Sequence, residues 1–159
     1  MSGLTPSSTT RVRAATAADA ARLLQLWGLV YAEADGGPRG TWREPARRWF
    51  LDRLAEGGGS RFPVVERDGV VVATAVGTLE AGVPNPHCPR GRTVQLANVV
   101  TAAEHRRRGY ATLLVQDVIG WARSVDADRV DLSTSADGLG LYQRLGFTFT
   151  TAPRMKLVL

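Results

Sequence analysis

The chain has 159 residues, and its 20 basic against 15 acidic side chains give a formal net charge of +5. This length fits one domain that is large enough to bury a hydrophobic core. A composition of 44% hydrophobic and 22% charged residues excludes a disordered or collagen-like chain. The single cysteine, Cys88, excludes an internal disulfide, and the lack of long apolar runs predicts a cytoplasmic protein without secretion signal or membrane span.

The positive charge comes almost entirely from arginine, because the 20 basic residues include one lysine, Lys156. Guanidinium groups suit phosphate, so one interpretation is an anionic ligand or nucleic acid. The other interpretation is a preference for arginine over lysine throughout the sequence. Only arginines that a motif places are therefore used to infer function.

The N-terminal third predicts one strand and two helices. Residues 11–14 alternate as a strand does, and Thr16 with Asp19 resembles a capping box at the start of an apolar helix. That helix ends before the Asp-Gly-Gly-Pro run at 35–38. Residues 44–56 predict a second amphipathic helix, which ends at three consecutive glycines.

The remainder predicts strands with two further helices. An Asp-Gly pair at 68–69 separates two β-branched runs and is a strong hairpin signal. Apolar spacing over 109–125 predicts the clearest helix of the chain. The expected elements are strands at 62–66, 70–79, 94–100 and 129–133, a short helix at 137–145, and a terminal strand pair over 147–159 divided near Pro153.

These elements predict an α/β (α+β) fold: a mixed, mainly antiparallel central sheet flanked by helices. No repeat or linker divides the chain, so we expect a disordered tail over residues 1–9 and a single domain over 10–159. His87 and Cys88 are adjacent rather than spaced as ligands, so no metal site is predicted.

The most informative segment joins a predicted strand to a predicted helix, from Asn98 to Thr112. Backbone N–H groups in such a turn lie at the positive end of the helix dipole and favour phosphate. Gly109 permits close approach of a ligand, and Ala111 leaves room beside the first helical turn. The arginines at 106–108 add charge, although a solvated helix start or a nucleic-acid patch would show the same run.

Two motifs together carry a family resemblance. Arg106-x-x-Gly109-x-Ala111 follows a strand, and some thirty residues downstream Leu141-Tyr142-x-x-x-Gly146-Phe147 lies on the short predicted helix after the next strand. This pairing resembles the GCN5-related N-acetyltransferase (GNAT) superfamily, closely over residues 94–149 and in element order elsewhere. Ala103 stands where the family usually has proline, which is a minor departure.

The resemblance implies a site for acetyl-CoA and no metal. In the family, the strand before the motif separates from its neighbour at a bulge, and the pantetheine arm pairs with its free backbone. The turn that follows holds the pyrophosphate on backbone N–H groups, and Arg106 orders that turn. The implied cofactor-binding residues are Val99, Val100, Thr101, Arg106, Arg107, Arg108, Gly109, Tyr110, Ala111 and Thr112.

Tyr142 matches the general acid of the family. Acyl transfer from a thioester to an amine expels a thiolate, and a nearby hydroxyl lowers the cost of that departure. Core packing is the alternative role for a tyrosine on a helix. No base is assigned to the amine: the carboxylate candidates are Glu80, then Glu33, Asp35 and Glu44, and each is also an ordinary surface charge.

The resemblance implies an enzyme, an acetyl-CoA-dependent N-acetyltransferase that acts on a primary amine of a small molecule or peptide. Substrate selection is expected from residues 35–42, 81–92 and the turn near Thr151, with Trp42 a candidate pocket residue and Trp49 a candidate core residue. A non-catalytic acyl-CoA sensor or scaffold is the alternative. A nucleic-acid partner is disfavoured, no membrane partner is expected, and the family implies a homodimer without any specific feature here that supports it.

Overall fold

The structure is a computed structural model that describes residues 7–31 and 42–159. Strand β1 (Thr10–Ala14) leads into a 3₁₀ turn and helix α1 (Ala20–Val30), and α2 (Arg43–Glu56) follows. The predicted capping box is present, since the Thr16 N–H donates to Asp19 Oδ2 at 2.8 Å. The tail predicted over 1–9 lies outside the described residues except for 7–9, where the Thr9 N–H donates to the Asp68 carboxylate at 2.9 Å.

The predicted hairpin is formed by β3 (Pro63–Arg67) and β4 (Val70–Ala81). Asp68 and Gly69 both have positive φ, at 50° and 82°, as a type I′ turn requires. A two-residue strand that the sequence does not predict, β2 (Ser60–Arg61), also pairs with β4. Strand β4 therefore runs through the middle of the sheet.

The C-terminal half contributes β5 (Arg92–Thr101), α3 (Tyr110–Ser124), β6 (Arg129–Leu132) and α4 (Leu139–Arg144). The strand order is β1-β3-β4-β5-β6, and β5 and β6 are parallel while the other pairs are antiparallel. This mixed, mainly antiparallel sheet flanked by helices confirms the predicted fold class.

Each face of the sheet buries its own apolar layer. On one face, α1 and α2 pack through Leu23, Leu26, Trp27 and Phe50 against alternate strand residues. On the other face, α3 packs through a second set, with Leu114, Val115 and Val118 fully buried. The sheet thus separates two helical layers, and a ligand that reaches both must pass through an opening in it.

The terminal strand pair predicted over 147–159 is wrong. The structure describes this whole segment and assigns no strand to it. Phe147 packs on Tyr142, but Phe149 and Leu157 are 72% and 83% exposed, so the apolar residues beyond Phe147 lack the burial that a paired strand would give them. Pro153, near the predicted turn, has no N–H to donate to a ladder.

Within residues 7–31 and 42–159, no helix combines the length and the apolar character needed to cross a bilayer. The same ranges contain no group of three or more His, Cys, Asp or Glu side chains that could hold a metal ion. Cys88 is buried instead, and its thiol donates to Asp128 Oδ2 at 3.1 Å. The His87–Cys88 pair is thus part of a packed loop.

Candidate active site

The sheet opens between β5 and β6. Their parallel pairing ends at Leu96 and Leu132, so on the β6 side the strand beyond Leu96 has no ladder partner among the described residues. Just there, β5 carries one residue more than β4 between successive ladder pairs, and Asn98 takes a left-handed φ of 50°. A bulge of this kind bends a strand away from its neighbour. The result is a free backbone edge at the point where the sheet separates.

The predicted pantetheine residues form this edge. Val100 is buried on the α1 side, whereas Val99 packs toward α3 and is half-buried. The Val99 and Val100 side chains pack into the apolar layers on opposite faces of the sheet. A ligand at this edge would therefore bind mainly to their backbone groups. Thr101 is half-buried, and its carbonyl accepts a hydrogen bond from Arg106 Nε at 3.2 Å.

The turn after β5 exposes a row of backbone N–H groups. Arg107 and Gly109 both have left-handed φ, at 62° and 79°, which directs successive amides to one side. From Arg107 to Thr112, none of these N–H groups donates to any described residue. They lie at the N-terminus of the 15-residue helix α3, where the dipole favours negative charge. The turn therefore has the geometry of an anion site.

The side chains of the turn divide into three kinds. Arg106 bonds the Thr101 carbonyl and so fixes the turn on the end of β5. Arg107 and Arg108 are exposed and form no ion pair within the described chain, which leaves both guanidinium groups for a ligand. Tyr110 is only 7% exposed and packs in the α3 layer, so this residue can offer its N–H alone.

Ala111 and Thr112 complete the first turn of α3. Both are half-buried, and the small Ala111 side chain keeps the amide row accessible. The Thr112 hydroxyl forms no hydrogen bond with a described residue. Every residue that the sequence assigned to pyrophosphate therefore lies in a single turn, next to the open edge of β5.

Tyr142 lies on α4, just after the strand that forms the other side of the opening. Its ring packs edge-to-face on Phe147, with centroids 5.7 Å apart, and the residue is half-buried. Burial raises the pKa of the Tyr142 hydroxyl above its ordinary value near 10. The hydroxyl has no hydrogen-bond partner among the described residues, so it remains a protonated donor free to meet a ligand.

Gly138 makes room for the Tyr142 ring. A Cβ at Gly138 would lie 2.8 Å from Thr134 Oγ1 and 3.1 Å from Tyr142 Cε2. The close approach of α4 to the preceding loop thus requires glycine at this position. The absence of a side chain at Gly138 thus leaves space for the Tyr142 ring beside the loop after β6.

A cavity with aromatic walls lies on the α1 and α2 side of the sheet, next to Asn98. Its volume is about 340 Å³. Tyr31 closes one side, and its hydroxyl donates to Asn98 Oδ1 at 3.0 Å. The aromatic walls are Trp27, Tyr31, Trp42 and Trp49, and the remaining walls are aliphatic side chains, Thr78 and Asn98.

A second, more polar cavity of about 240 Å³ lies farther along the same face, toward the start of β5. Gln95 and Asp131 line it together with Glu80. The two cavities are neighbours in the sheet, because Thr78 of the aromatic cavity is the ladder partner of Gln95 of the polar one.

The carboxylates considered as possible bases lie in different parts of the molecule. Glu80 is exposed and lines the polar cavity, whereas Glu44 is exposed on α2 and pairs with Arg48 at 3.2 Å. Glu33, Asp35 and most of the substrate-selecting segment 35–42 lie outside the described residues. Asp131 was not identified from the sequence. Its strand, β6, pairs in parallel with β5, and this pairing places Asp131 in the same polar cavity as Glu80.

The aromatic cavity unites residues from distant parts of the chain. Sequence reasoning identified Trp42 as a pocket candidate and assigned Trp49 to the core, and Trp49 does both, since it packs on Phe62 and lines the cavity. Trp27 and Tyr31 were not singled out, because a helix face alone does not reveal what it meets. The one signal was the clustering of aromatic residues on both predicted helices.

Solved structures of other proteins share this fold. A predicted acetyltransferase from Clostridium acetobutylicum, solved with acetyl-CoA, superposes with a TM-score of 0.84 at 21% identity and covers 94% of this chain and 96% of its own. A GCN5-related N-acetyltransferase from Ralstonia eutropha JMP134 gives a TM-score of 0.82 at 22% identity, with 94% and 99% covered. At these identities, the likeness establishes the fold: that of the acetyltransferases.

The family follows from the sequence match. The model of the Acetyltransferase (GNAT) family matches residues 25–147, and the chain belongs to this family. Human N-acetyltransferase 8B is 39% identical over 95 residues, which are 58% of this chain and 40% of the human protein. The chain thus matches less than half the length of that curated relative.

Proposed function

We propose that the protein transfers an acetyl group from acetyl-CoA to a primary amine of a small molecule or peptide. One observation carries the proposal: the unpaired backbone N–H groups from Arg107 to Thr112 lie beside the free edge of β5. An anion site next to an open strand edge suits a ligand with both a pyrophosphate and an extended amide-bearing arm.

The residues present fit this ligand. The amides of the α3 turn and the Arg107 and Arg108 side chains would hold the pyrophosphate, and the backbone from Val99 to Thr101 would pair with the pantetheine amides. Acetyl-CoA supplies the acetyl group as a thioester, so a C–N bond to the amine forms as the C–S bond breaks.

Tyr142 would donate its proton to the departing thiolate. The raised pKa keeps the Tyr142 hydroxyl protonated at neutral pH, and no described residue competes for it. The amine would approach from the aromatic cavity on the opposite side of the sheet, next to Asn98. If acetyl-CoA and the amine approach from opposite sides of the sheet, the thioester lies in the opening between them.

The amine must lose a proton before it attacks. The aromatic cavity offers no carboxylate or histidine among the described residues, whereas the neighbouring polar cavity holds Glu80 and Asp131. We propose that water in the polar cavity relays the proton toward these carboxylates, through the boundary formed by Thr78 and Gln95.

Release of free CoA thiol is the test. Wild-type protein with acetyl-CoA and a panel of amines, amino acids and peptides should release CoA in an amine-dependent manner, with a matching N-acetylated product by mass spectrometry. Acetyl-CoA binding without CoA release for any acceptor would instead favour the sensor or scaffold. That second candidate is supported by the lack of a base among the described walls of the aromatic cavity.

A further inference from the structure

Lys156 is the single lysine among the 20 basic residues of the sequence. Apart from the α-amino group at the start of the chain, its Nζ is therefore the one primary amine in the 159 residues. The other basic residues are arginines, whose guanidinium groups stay protonated and cannot attack a thioester. Lys156 is exposed, so the chain itself carries an accessible acceptor of the kind that the proposed reaction requires.

The segment that carries Lys156 is held at two points beside the opening of the sheet. At its start, the Phe147 ring packs on Tyr142 with centroids 5.7 Å apart, and the Phe147 N–H donates to the Tyr142 carbonyl at 3.0 Å. Farther along, Arg154 Nη1 donates to Ser133 Oγ at 3.4 Å. Ser133 directly follows Leu132, where the pairing of β6 with β5 ends. Both contacts therefore bring the segment to the β6 side of the opening.

Lys156 can reach the opening from this second contact. It follows Arg154 by two residues, which span at most about 7 Å of chain, and the flexible side chain of lysine adds to that reach. Its neighbours Met155 and Leu157 are 94% and 83% exposed, and the described segment 147–159 forms no strand. Neither a buried neighbour nor a ladder in this segment therefore holds the Lys156 amine away from the opening.

We propose that the protein acetylates its own Lys156, an inference that rests on the proposed function. The C–N bond from Lys156 Nζ to the acetyl carbon forms as the C–S bond of acetyl-CoA breaks, and the thiolate takes its proton from Tyr142. The lysine nitrogen loses one proton to the relay that includes Asp131, two residues before Ser133, and a second proton returns to Tyr142. The products are acetyl-lysine, without its charge, and free CoA thiol.

Incubation of the purified full chain with acetyl-CoA and no added amine tests the proposal. Mass spectrometry of the intact chain and of its peptides should find one acetyl group per chain, on Lys156, with an equal amount of CoA released. The first-order rate constant should not depend on protein concentration, because the acceptor and the site belong to one molecule. A rate constant that rises in proportion to protein concentration would overturn transfer within the molecule.

Because the chain has a single lysine, its position can be changed. Lys156→Arg keeps the charge, removes the amine and should leave the segment without an acetyl group. Adding Arg123→Lys to Lys156→Arg moves the lysine to an exposed site in the last turn of α3. The amide row lies at the other end of this 15-residue helix, about 22 Å away. We expect acetylation at position 123 to be at least about tenfold slower than at Lys156 in the wild type, and equal rates would overturn the proposal.

Two further variants test the dependence on the site and on the contact with β6. Ala111→Glu at the amide row should abolish acetylation of Lys156, whereas Gln116→Glu on the exposed side of α3 should retain it. Arg154→Ala removes the hydrogen bond to Ser133 and should slow acetylation of Lys156 by about threefold or more, with CoA release to added amines unchanged. The melting temperature without cofactor verifies that each variant is folded.

The outcomes separate this inference from the proposed function. CoA release with added amines but no acetyl group on Lys156 overturns the self-acetylation and supports the acetyltransferase. Acetylation of Lys156 at the wild-type rate in Ala111→Glu is reaction without the amide row, and it overturns the self-acetylation as well. If neither Lys156 nor any added amine is acetylated, although acetyl-CoA still raises the melting temperature, the proposed catalysis and this inference both fail.

Discussion

The residues around Tyr142 determine the position of its ring and the pKa of its hydroxyl. The Phe147 ring and the close approach of Gly138 hold the tyrosine ring, while no described residue bonds its oxygen. Burial raises the pKa of this hydroxyl, which stays protonated until the pH exceeds its ordinary value near 10. These features suit a proton donor to a leaving group.

Tyr142→Phe keeps the ring and removes the proton. If the hydroxyl acts as general acid, kcat should fall by about 10²-fold or more, whereas the KM for acetyl-CoA should change little. The melting temperature serves as control, because the packing against Phe147 is retained. An unchanged rate would remove Tyr142 from the chemistry and leave it a packing residue.

Asp19 links β1 to the start of α1 through an ion pair with Arg13. Its carboxylate accepts from Arg13 at 2.8 and 3.0 Å and from the Thr16 N–H at 2.8 Å. The hydrogen bond from Arg13, together with that from Thr16, lowers the pKa of Asp19 below its ordinary value. Since the folded pKa is depressed, the stability this group contributes is present above the unfolded pKa of about 4 and is lost as pH falls through the folded value.

Asp19→Asn tests this contribution. At pH 7 the variant should lose about 0.5–1.5 kcal/mol of unfolding free energy, because the hydrogen bonds from Arg13 lose their charged acceptor. The gap to the wild type should narrow as the pH falls below about 4 toward the folded pKa, because the unfolded wild-type carboxyl group is then protonated and folding must remove that proton. Urea denaturation at pH 7 and pH 3 measures both gaps, and an equal gap at the two values would contradict the assignment.

At the scale of elements, the packing of α3 on β4 fixes the position of the amide row. Gly77 of β4 lies directly beneath the helix, where a Cβ would come within 2.9 Å of Val118 and 3.2 Å of Trp121. Any side chain at Gly77 would push α3, and with it the turn at its N-terminus, away from the sheet.

Gly77→Ala should therefore destabilise the fold by about 1–3 kcal/mol, as overpacking of a core does. Gly120→Ala on α3 is the matched control, because open space surrounds that glycine. There the added methyl should stabilise the helix by about 0.5–1 kcal/mol. Chemical denaturation compares the two, and a neutral Gly77→Ala would show that α3 is free to move.

Elements with strong local signals could be predicted from the sequence. The hairpin at Asp68-Gly69 needs two left-handed residues that the pair supplies, and the apolar spacing of α3 exceeds three turns. The two-residue strand β2 depends on its pairing with β4, which no local pattern encodes. The error over 147–159 has the same origin, since an alternating segment becomes a strand only where an edge accepts it.

At the scale of the whole molecule, the candidate site combines residues that are far apart in the chain and that the sheet brings close together. The turn at 106–112 and Tyr142 were predicted because both lie in motifs that the family shares. The aromatic cavity depends on how α1 and α2 cross β4 and β5, which the sequence alone does not specify. Likewise, the opening beyond Leu96 follows from where the ladder with β6 ends.

The division of the molecule into two helical layers gives each a separate task. The α3 layer presents the amide row and, with α4, the Tyr142 hydroxyl, whereas the α1 and α2 layer forms the aromatic cavity. In the proposed function, acetyl-CoA and the amine meet at the opening in the sheet. Every later step of the proposed reaction therefore requires acetyl-CoA to bind at the α3 turn.

Thermal unfolding in the presence of acetyl-CoA tests that claim most directly. At 100 times its Kd, a ligand that binds only the folded state adds about 2.7 kcal/mol, or about 5–10 °C in Tm for a chain of this size. Ala111→Glu, which places a carboxylate beside the amide row, should abolish the shift, while Gln116→Glu on the exposed side of α3 should retain it. No shift at millimolar acetyl-CoA, or an equal shift in both variants, would contradict the account.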